Sequence, residues 1–188
     1  MEPVTLRTAR LELSVPVEAD VDAIAEACRE AEIQRYTTVP SPYERHHAVD
    51  FVAKARAWWE AGSETTWAIR HAGVLAGMIG LHGLGRGAGE LGYWMAPAAR
   101  GQGLLTEAAR EVVEWGFSPD GAAITRMEWH AVVGNEASAR AARALGFRYE
   151  GTRRAALVNG AGHRDDGWVA GLLATDDRAP QPWPVLAR

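Results

Sequence analysis

The sequence predicts a single domain of the mixed α/β (α+β) class, on three observations. Strand-like and helix-like segments follow one another in the order β-α-α-β-β-β-α-β-α-β-β. No internal repeat and no Pro/Gly-rich linker interrupts them. The 188 residues, 47% of them hydrophobic, suit one ordinary domain with a real core.

Residues 5–15 form a first strand, ended by Pro16. Residues 18–31 set Val21, Ile24, Ala25 and Cys28 at helical spacing and predict an amphipathic helix. Ser41-Pro42-Tyr43-Glu44 reads as an S-x-x-E capping box with proline at the first helical position. That helix carries Val49, Phe51, Val52 and Trp59 to about Ala61, where Gly62 stops it. Residues 65–70 and 74–81 then read as a strand pair turned at His71-Ala72-Gly73.

The stretch 83–89 is glycine-rich, but its G-x-G-x-G spacing and the absence of a following helix exclude a dinucleotide-binding loop. It reads as a flexible hairpin loop leading to a strand over 90–95. Beyond Pro97, a helix over 104–117 places Leu105, Ala108, Val112 and Trp115 on one face. Residues 124–133 alternate as a strand. An alanine-rich helix over 135–145 has Asn135 as N-cap and Gly146 as its stop. Residues 147–158 and 163–173 form a closing hairpin about Asn159-Gly160. The domain is assigned to 1–174, and 175–188, with Pro180, Pro182 and Pro184, to a C-terminal tail that wraps or frays.

Composition excludes several classes of function. A net charge of −4 gives no basic excess for nucleic acid. No run approaches the roughly 18 apolar residues of a membrane span, and no apolar signal region opens the chain, so the cytoplasm is the default location. Cys28 alone allows neither an internal disulfide nor a multi-cysteine metal site, and no metal is expected. The eight tryptophans are assigned to cores and interfaces, with Trp94 and Trp129 set apart because they flank the motifs.

The first motif is Arg100-Gly101-Gln102-Gly103-Leu104 at the mouth of a helix. Glycines there let backbone N–H groups turn toward a ligand, and the helix N-terminus adds partial positive charge. Such a turn suits phosphate. The second motif follows the strand at 124–133: Gly134-Asn135-Glu136-Ala137-Ser138, leading into Leu145-Gly146-Phe147.

Together these segments resemble the acyl-CoA-binding motifs of the GNAT superfamily of N-acetyltransferases. The run over 91–117 is similar to the branch that acetylates N-terminal amines of ribosomal proteins. The resemblance covers roughly residues 4–174. It departs at Leu105, where the superfamily carries glycine or alanine. It implies a mixed, mostly antiparallel sheet splayed between the strands at 90–95 and 124–133 and flanked by helices. It implies acetyl-CoA as co-substrate, an amine acceptor and, in many members, a homodimer.

Backbone N–H groups from Gly101, Gln102, Gly103, Leu104 and Leu105 would cradle the pyrophosphate. Arg100 belongs to the same motif, and Thr106 could add a hydroxyl contact. Asn135 resembles the residue that hydrogen-bonds the pantetheine arm.

Acetyl transfer needs a free amine, a polarised thioester carbonyl and a stabilised thiolate. The amine must be deprotonated, from reference pKa values of about 8 for an α-amine and about 10.4 for lysine. Glu90 is the leading base, acting through water, with Glu128, His130 and His82 as rivals on neighbouring strands. Ser138 resembles the serine that assists the departing sulfur. A backbone N–H near Trp94 or Met95 would polarise the carbonyl if that strand carries a bulge. Arg35, Tyr36, Tyr43, Trp94, His163, Arg164, Asp165 and Asp166 are the candidates for lining the acceptor cleft. The reading is an N-acetyltransferase acting on a protein N-terminal amine or a small-molecule amine by direct transfer in a ternary complex. Transfer of a longer acyl group and a non-catalytic acyl-CoA sensor are the alternatives, with neither nucleic acid nor membrane as partner.

Overall fold

A computed structural model of the chain describes residues 1–187; of the tail, Arg188 lies outside the described residues. Its strands are β1 (Leu6–Arg7), β2 (Leu11–Ser14), β3 (Thr65–His71), β4 (Val74–Gly85), β5 (Ala88–Met95), β6 (Arg126–Val132), β7 (Arg148–Val158) and β8 (Arg164–Leu173). The helices are α1 (Val21–Ala27), α2 (Ala31–Tyr36), α3 (Arg45–Ala61), α4 (Leu104–Phe117) and α5 (Glu136–Ala144).

All eight strands join one sheet in the order β1-β2-β3-β4-β5-β6-β8-β7. Every pairing is antiparallel except β5–β6, which is parallel. That parallel ladder holds only Ala88↔Arg126, Gly89↔Met127 and Glu90↔Glu128. Beyond Glu90 the two strands diverge, so the splay expected from the resemblance opens there.

The sheet buries both faces of its first half. On one side the main core gathers Trp67, Ile79, Leu81 and Leu91 against Leu104, Ala108 and Val112 of α4. On the other, a second core packs Val21, Ile24 and Ala48 of α1 and α3 against Ala68 and Met78.

Four expected elements differ in detail. The strand predicted over 5–15 is two strands, because Thr8 Oγ1 accepts the Leu11 N–H at 2.9 Å and folds the segment into a tight turn. The helix predicted over 18–31 breaks after Ala27, since Glu30 caps a separate α2 by accepting the Ile33 N–H at 2.9 Å. Ser41 does not cap α3: it precedes a cis proline, and its hydroxyl donates to Gln34 Oε1 at 2.7 Å. Glu44 is the N-cap instead, with its N–H donating to His47 Nδ1 at 3.0 Å. The glycine-rich stretch is not a loose loop. β4 runs on to Gly85, and Arg86-Gly87 alone make the turn, both at positive φ (50° and 75°).

The segment after β8 packs back onto the domain. Trp183 is buried, its Nε1 donates to the Phe147 carbonyl at 3.0 Å, and its ring lies 5.4 Å from that of Trp129. Among the described residues no helix is long and apolar enough to cross a membrane.

Candidate active site

The splay opens into a cleft of about 1410 Å³. The phosphate-type turn lies at one end. Gly101 and Gly103 both take φ of +74°, the left-handed region where glycine has no Cβ penalty, and Gly103 is the N-cap of α4. The 14-residue α4 therefore points its N-terminal N–H groups and its dipole at the cleft. Leu105, where the sequence departs from a small residue, is partly buried against the main core and also lines the cleft.

Two ionic ties fix this turn. Arg10 pairs with Glu107 in the first turn of α4 and donates to the Gln102 carbonyl at 3.2 Å. Arg100 donates to the Met95 carbonyl at 3.1 Å and pairs with Glu30 and Glu32 around the start of α2. Its guanidinium is thus engaged in joining the turn to α2.

At the inner side of the splay, α5 presents Ser138. Asn135 caps α5, its Oδ1 accepting the Ser138 N–H at 3.2 Å. Ser138 Oγ lies 2.9 Å from Tyr93 Oη and accepts from Trp129 Nε1 at 3.1 Å. Tyr93 Oη also accepts from Trp129 Nε1 at 3.1 Å and donates to the Ser138 carbonyl at 3.2 Å. Burial pushes the Tyr93 hydroxyl up to about 12, so it stays protonated. When Tyr93 donates to Ser138 Oγ, both lone pairs of that oxygen are taken. The serine proton is then free to point into the gap.

The carbonyl-polarising N–H needs no bulge. The β4–β5 register is regular from Gly77↔Met95 to His82↔Glu90, and its irregularity lies at the hairpin end. Ala96 N–H bonds the Ala76 carbonyl on the β4 side. By the alternation of an antiparallel ladder, the N–H groups of Tyr93 and Met95 face the opposite side, where β6 has diverged. Met95, not Trp94, therefore offers its N–H to the splay.

At the mouth stand the carboxylates. Glu90 Oε2 lies 3.0 Å from His130 Nδ1, and Glu128 Oε2 lies 3.7 Å from His130 Nε2. The hydrogen bond that the His130 imidazole donates to Glu90 holds its pKa above the ordinary value, against burial, with the Glu90 and Glu128 charges adding to it. His82 is opposite Glu90 across β4–β5, with its Nδ1 3.0 Å from Glu64. Glu90, His130 and His82 line the cleft, whereas Glu128 is drawn to Arg126 at 3.0 Å and does not.

The sequence-predicted residues Trp94, Met95, Arg100, Gly101, Gly103, Leu104, Leu105, Thr106, Asn135, Ser138, Tyr36 and Tyr43 are thus brought to one cleft. Gln102 is not: its side chain turns back to the Ala98 carbonyl at 2.9 Å. Arg35 lies over the Tyr36 ring outside the cleft, and His163 pairs with Asp165 on the surface at 3.0 Å. Arg164 and Asp166 brace Ala155 within the hairpin. The opposite strand of that hairpin, residues 156–159, lines the cleft instead. Sequence reasoning missed Tyr93, hidden in an apolar strand, and the cleft-facing side of α3. That side (His47, Asp50, Phe51, Lys54, Trp58) was legible in its helical spacing.

Residues 10–148 match the family model described as the acetyltransferase (GNAT) domain. YdaF of Bacillus subtilis (strain 168), whose name assigns it provisionally to the ribosomal N-acetyltransferases, is 38% identical over 94 residues, 48% of this chain. That match spans 50% of YdaF's length. YoaA of the same organism, named an uncharacterized N-acetyltransferase, is 29% identical over 153 residues, 79% of this chain and 85% of YoaA. The fold matches that of Mycobacterium smegmatis RimJ in complex with CoA-disulfide, with a TM-score of 0.83, 19% identity, and 93% and 90% of the two chains covered.

Proposed function

The chain belongs to the GNAT acetyltransferase family, and we propose that it transfers the acetyl group of acetyl-CoA directly to a primary amine in a ternary complex. The carrying observation is the early end of the β5–β6 ladder at Glu90↔Glu128. It sets a carboxylate, two outward strand N–H groups and Ser138 around one gap, with a phosphate-type turn beside it.

Each group has a step that it suits. The acceptor ammonium gives its proton through water to Glu90, whose Oε2 pairs with His130. The free amine attacks the carbonyl carbon, and the oxygen that gains charge meets the Met95 N–H. The C–S bond breaks, the thiolate takes a hydrogen bond from Ser138 Oγ, and the proton lost from the attacking nitrogen ends on the departing sulfur, giving the neutral amide and free CoA. The backbone at Gly101–Leu105 holds the pyrophosphate, and Asn135 reaches the pantetheine arm. Gln102 contributes only its backbone. The acceptor is a protein N-terminal α-amine or a small-molecule amine. The same reading takes the enzyme to be cytoplasmic and able to form a homodimer, the latter testable by light scattering at two concentrations.

The test is release of free CoA from acetyl-CoA against a panel of amines, with Glu90→Gln alongside. The expected result is amine-dependent release that falls at least tenfold in Glu90→Gln. Tight CoA binding without turnover on any amine would make the protein an acyl-CoA sensor and overturn the proposal.

A further inference from the structure

The cleft extends past Glu90, and its far floor is built from three cross-strand rows on one sheet face. The first row is His82 and Glu90, with Glu64 tied to His82 at its end. The next is Thr66↔Gly80↔Gly92, and the third Ala68↔Met78↔Trp94. The middle row is almost bare, since two of its three residues lack a side chain. The His82 ring leans into it, within 2.7 Å of where a Gly92 Cβ would stand. A shallow slot results, walled by polar groups on one side and apolar ones on the other.

Two features of this slot lack an internal purpose. Thr66 is 3% exposed, lines the cleft, and its hydroxyl has no hydrogen-bond partner. A buried hydroxyl left unpaired is costly and uncommon. On the facing side of α3, Phe51 and Trp58 line the same cleft in edge-to-face contact, centroids 5.8 Å apart. Trp58 is half-buried yet packs into neither hydrophobic core. A flat slot between aromatic rings and an imidazole suits a flat, apolar body.

Resting on the amine-acetylation reading, we propose that this slot receives the body of the acceptor, and that the acceptor is an arylalkylamine with a hydroxyl on its ring. The amine lies at Glu90, the ring between Trp58 and the His82 side of the floor, and the ring hydroxyl reaches Thr66 Oγ1. The dimensions agree. Strand spacing of about 4.8 Å and a rise of about 3.3 Å per residue put Thr66 about 12 Å from Glu90. That spans a ring on a two-carbon arm plus one water at the carboxylate. A polar aliphatic amine would leave Thr66 unsatisfied and the rings uncovered.

Tyramine, phenethylamine, ethanolamine and a serine-initiated peptide are compared by kcat/KM from CoA release. Tyramine is expected to exceed phenethylamine about fivefold, the worth of one neutral hydrogen bond. It is expected to exceed ethanolamine at least a hundredfold. Thr66→Val keeps the side-chain shape and should lower tyramine turnover to the phenethylamine level without lowering Tm. Trp58→Ala should weaken both aromatic amines. Equal use of ethanolamine or the peptide, or a tyramine advantage that survives Thr66→Val, overturns the inference while leaving amine acetylation intact. If no amine turns over, the transferase reading fails. The slot is then judged by tyramine titration of the CoA-saturated protein followed by tryptophan fluorescence. Binding lost in Thr66→Val supports it, and no binding overturns it.

Discussion

Replacing Ser138 with alanine separates the chemical role of its hydroxyl from its packing role. The hydroxyl sits 2.9 Å from Tyr93 Oη and 3.1 Å from Trp129 Nε1. Without it, Trp129 Nε1 still donates to Tyr93 Oη at 3.1 Å, and Tyr93 still donates to the backbone carbonyl of residue 138 at 3.2 Å. No buried polar group is orphaned, so the fold loses at most about 1 kcal/mol. For a domain of this size that is a Tm drop of about 2–4 °C. The transition state loses more. A hydrogen bond to a charged group contributes about 1.5–3 kcal/mol, which is roughly 10- to 150-fold in kcat. The thioester sulfur of the ground state is a weak acceptor, so KM for acetyl-CoA should stay within about twofold. Initial rates of thiol release at saturating amine, paired with thermal melts, measure both effects. A kcat loss below about threefold would remove Ser138 from the sulfur. A loss accompanied by a Tm drop beyond about 8 °C would make its role structural.

Three further outcomes follow from the same geometry. The raised His130 imidazole contributes stability that is full below its unfolded value of about 6.5 and is lost as pH rises through its higher folded value. The Tm gap between wild type and His130→Gln should therefore be widest in acid and close toward alkaline pH; a gap that grows with pH contradicts the Glu90–His130 ion pair. Gly103→Ala places a Cβ at φ +74°, at about 1–2 kcal/mol, and should raise KM for acetyl-CoA about tenfold with little change in kcat, read from saturation curves. Burial works to raise the Asp20 carboxyl, but the paired hydrogen bonds from Arg70 at 2.6 and 2.7 Å and the Val17 N–H hold it below its ordinary value. Asp20→Asn should cost about 3–5 kcal/mol in urea unfolding at neutral pH, a difference that shrinks as pH falls through the depressed pKa of Asp20.

What the sequence revealed was what local chemistry dictates. Gly101 and Gly103 before an amphipathic helix, Asn135 three residues ahead of Ser138, and Gly146 at φ +91° after α5 are each set within one or two turns of chain. The misjudged features depend on distant partners. Ser41 looks like a cap until Gln34 claims its hydroxyl. Tyr93 is invisible for the same reason. In the strand it is one of two adjacent aromatics in the run Gly92-Tyr93-Trp94-Met95, and only Ser138, 45 positions later, makes it part of the site.

The splay itself joins the two kinds of information. Identical charges directly opposite across a strand pair are unfavourable, and Glu90 faces Glu128 at the last rung of the parallel ladder. His130 and Arg126 neutralise that rung by pairing with both carboxylates, so the ladder survives to Glu90. Beyond that rung, Tyr93 on β5 and Trp129 on β6 turn their hydroxyl and indole N–H to Ser138 on α5. α5 thus takes polar partners that a continued β5–β6 ladder would have packed over. A sheet that ended its pairing elsewhere would leave Glu90 as an ordinary strand residue and bury the Met95 N–H. The carboxylate, the strand N–H and the serine converge because one like-charge pair, held by one imidazole and one guanidinium, marks where the two halves part.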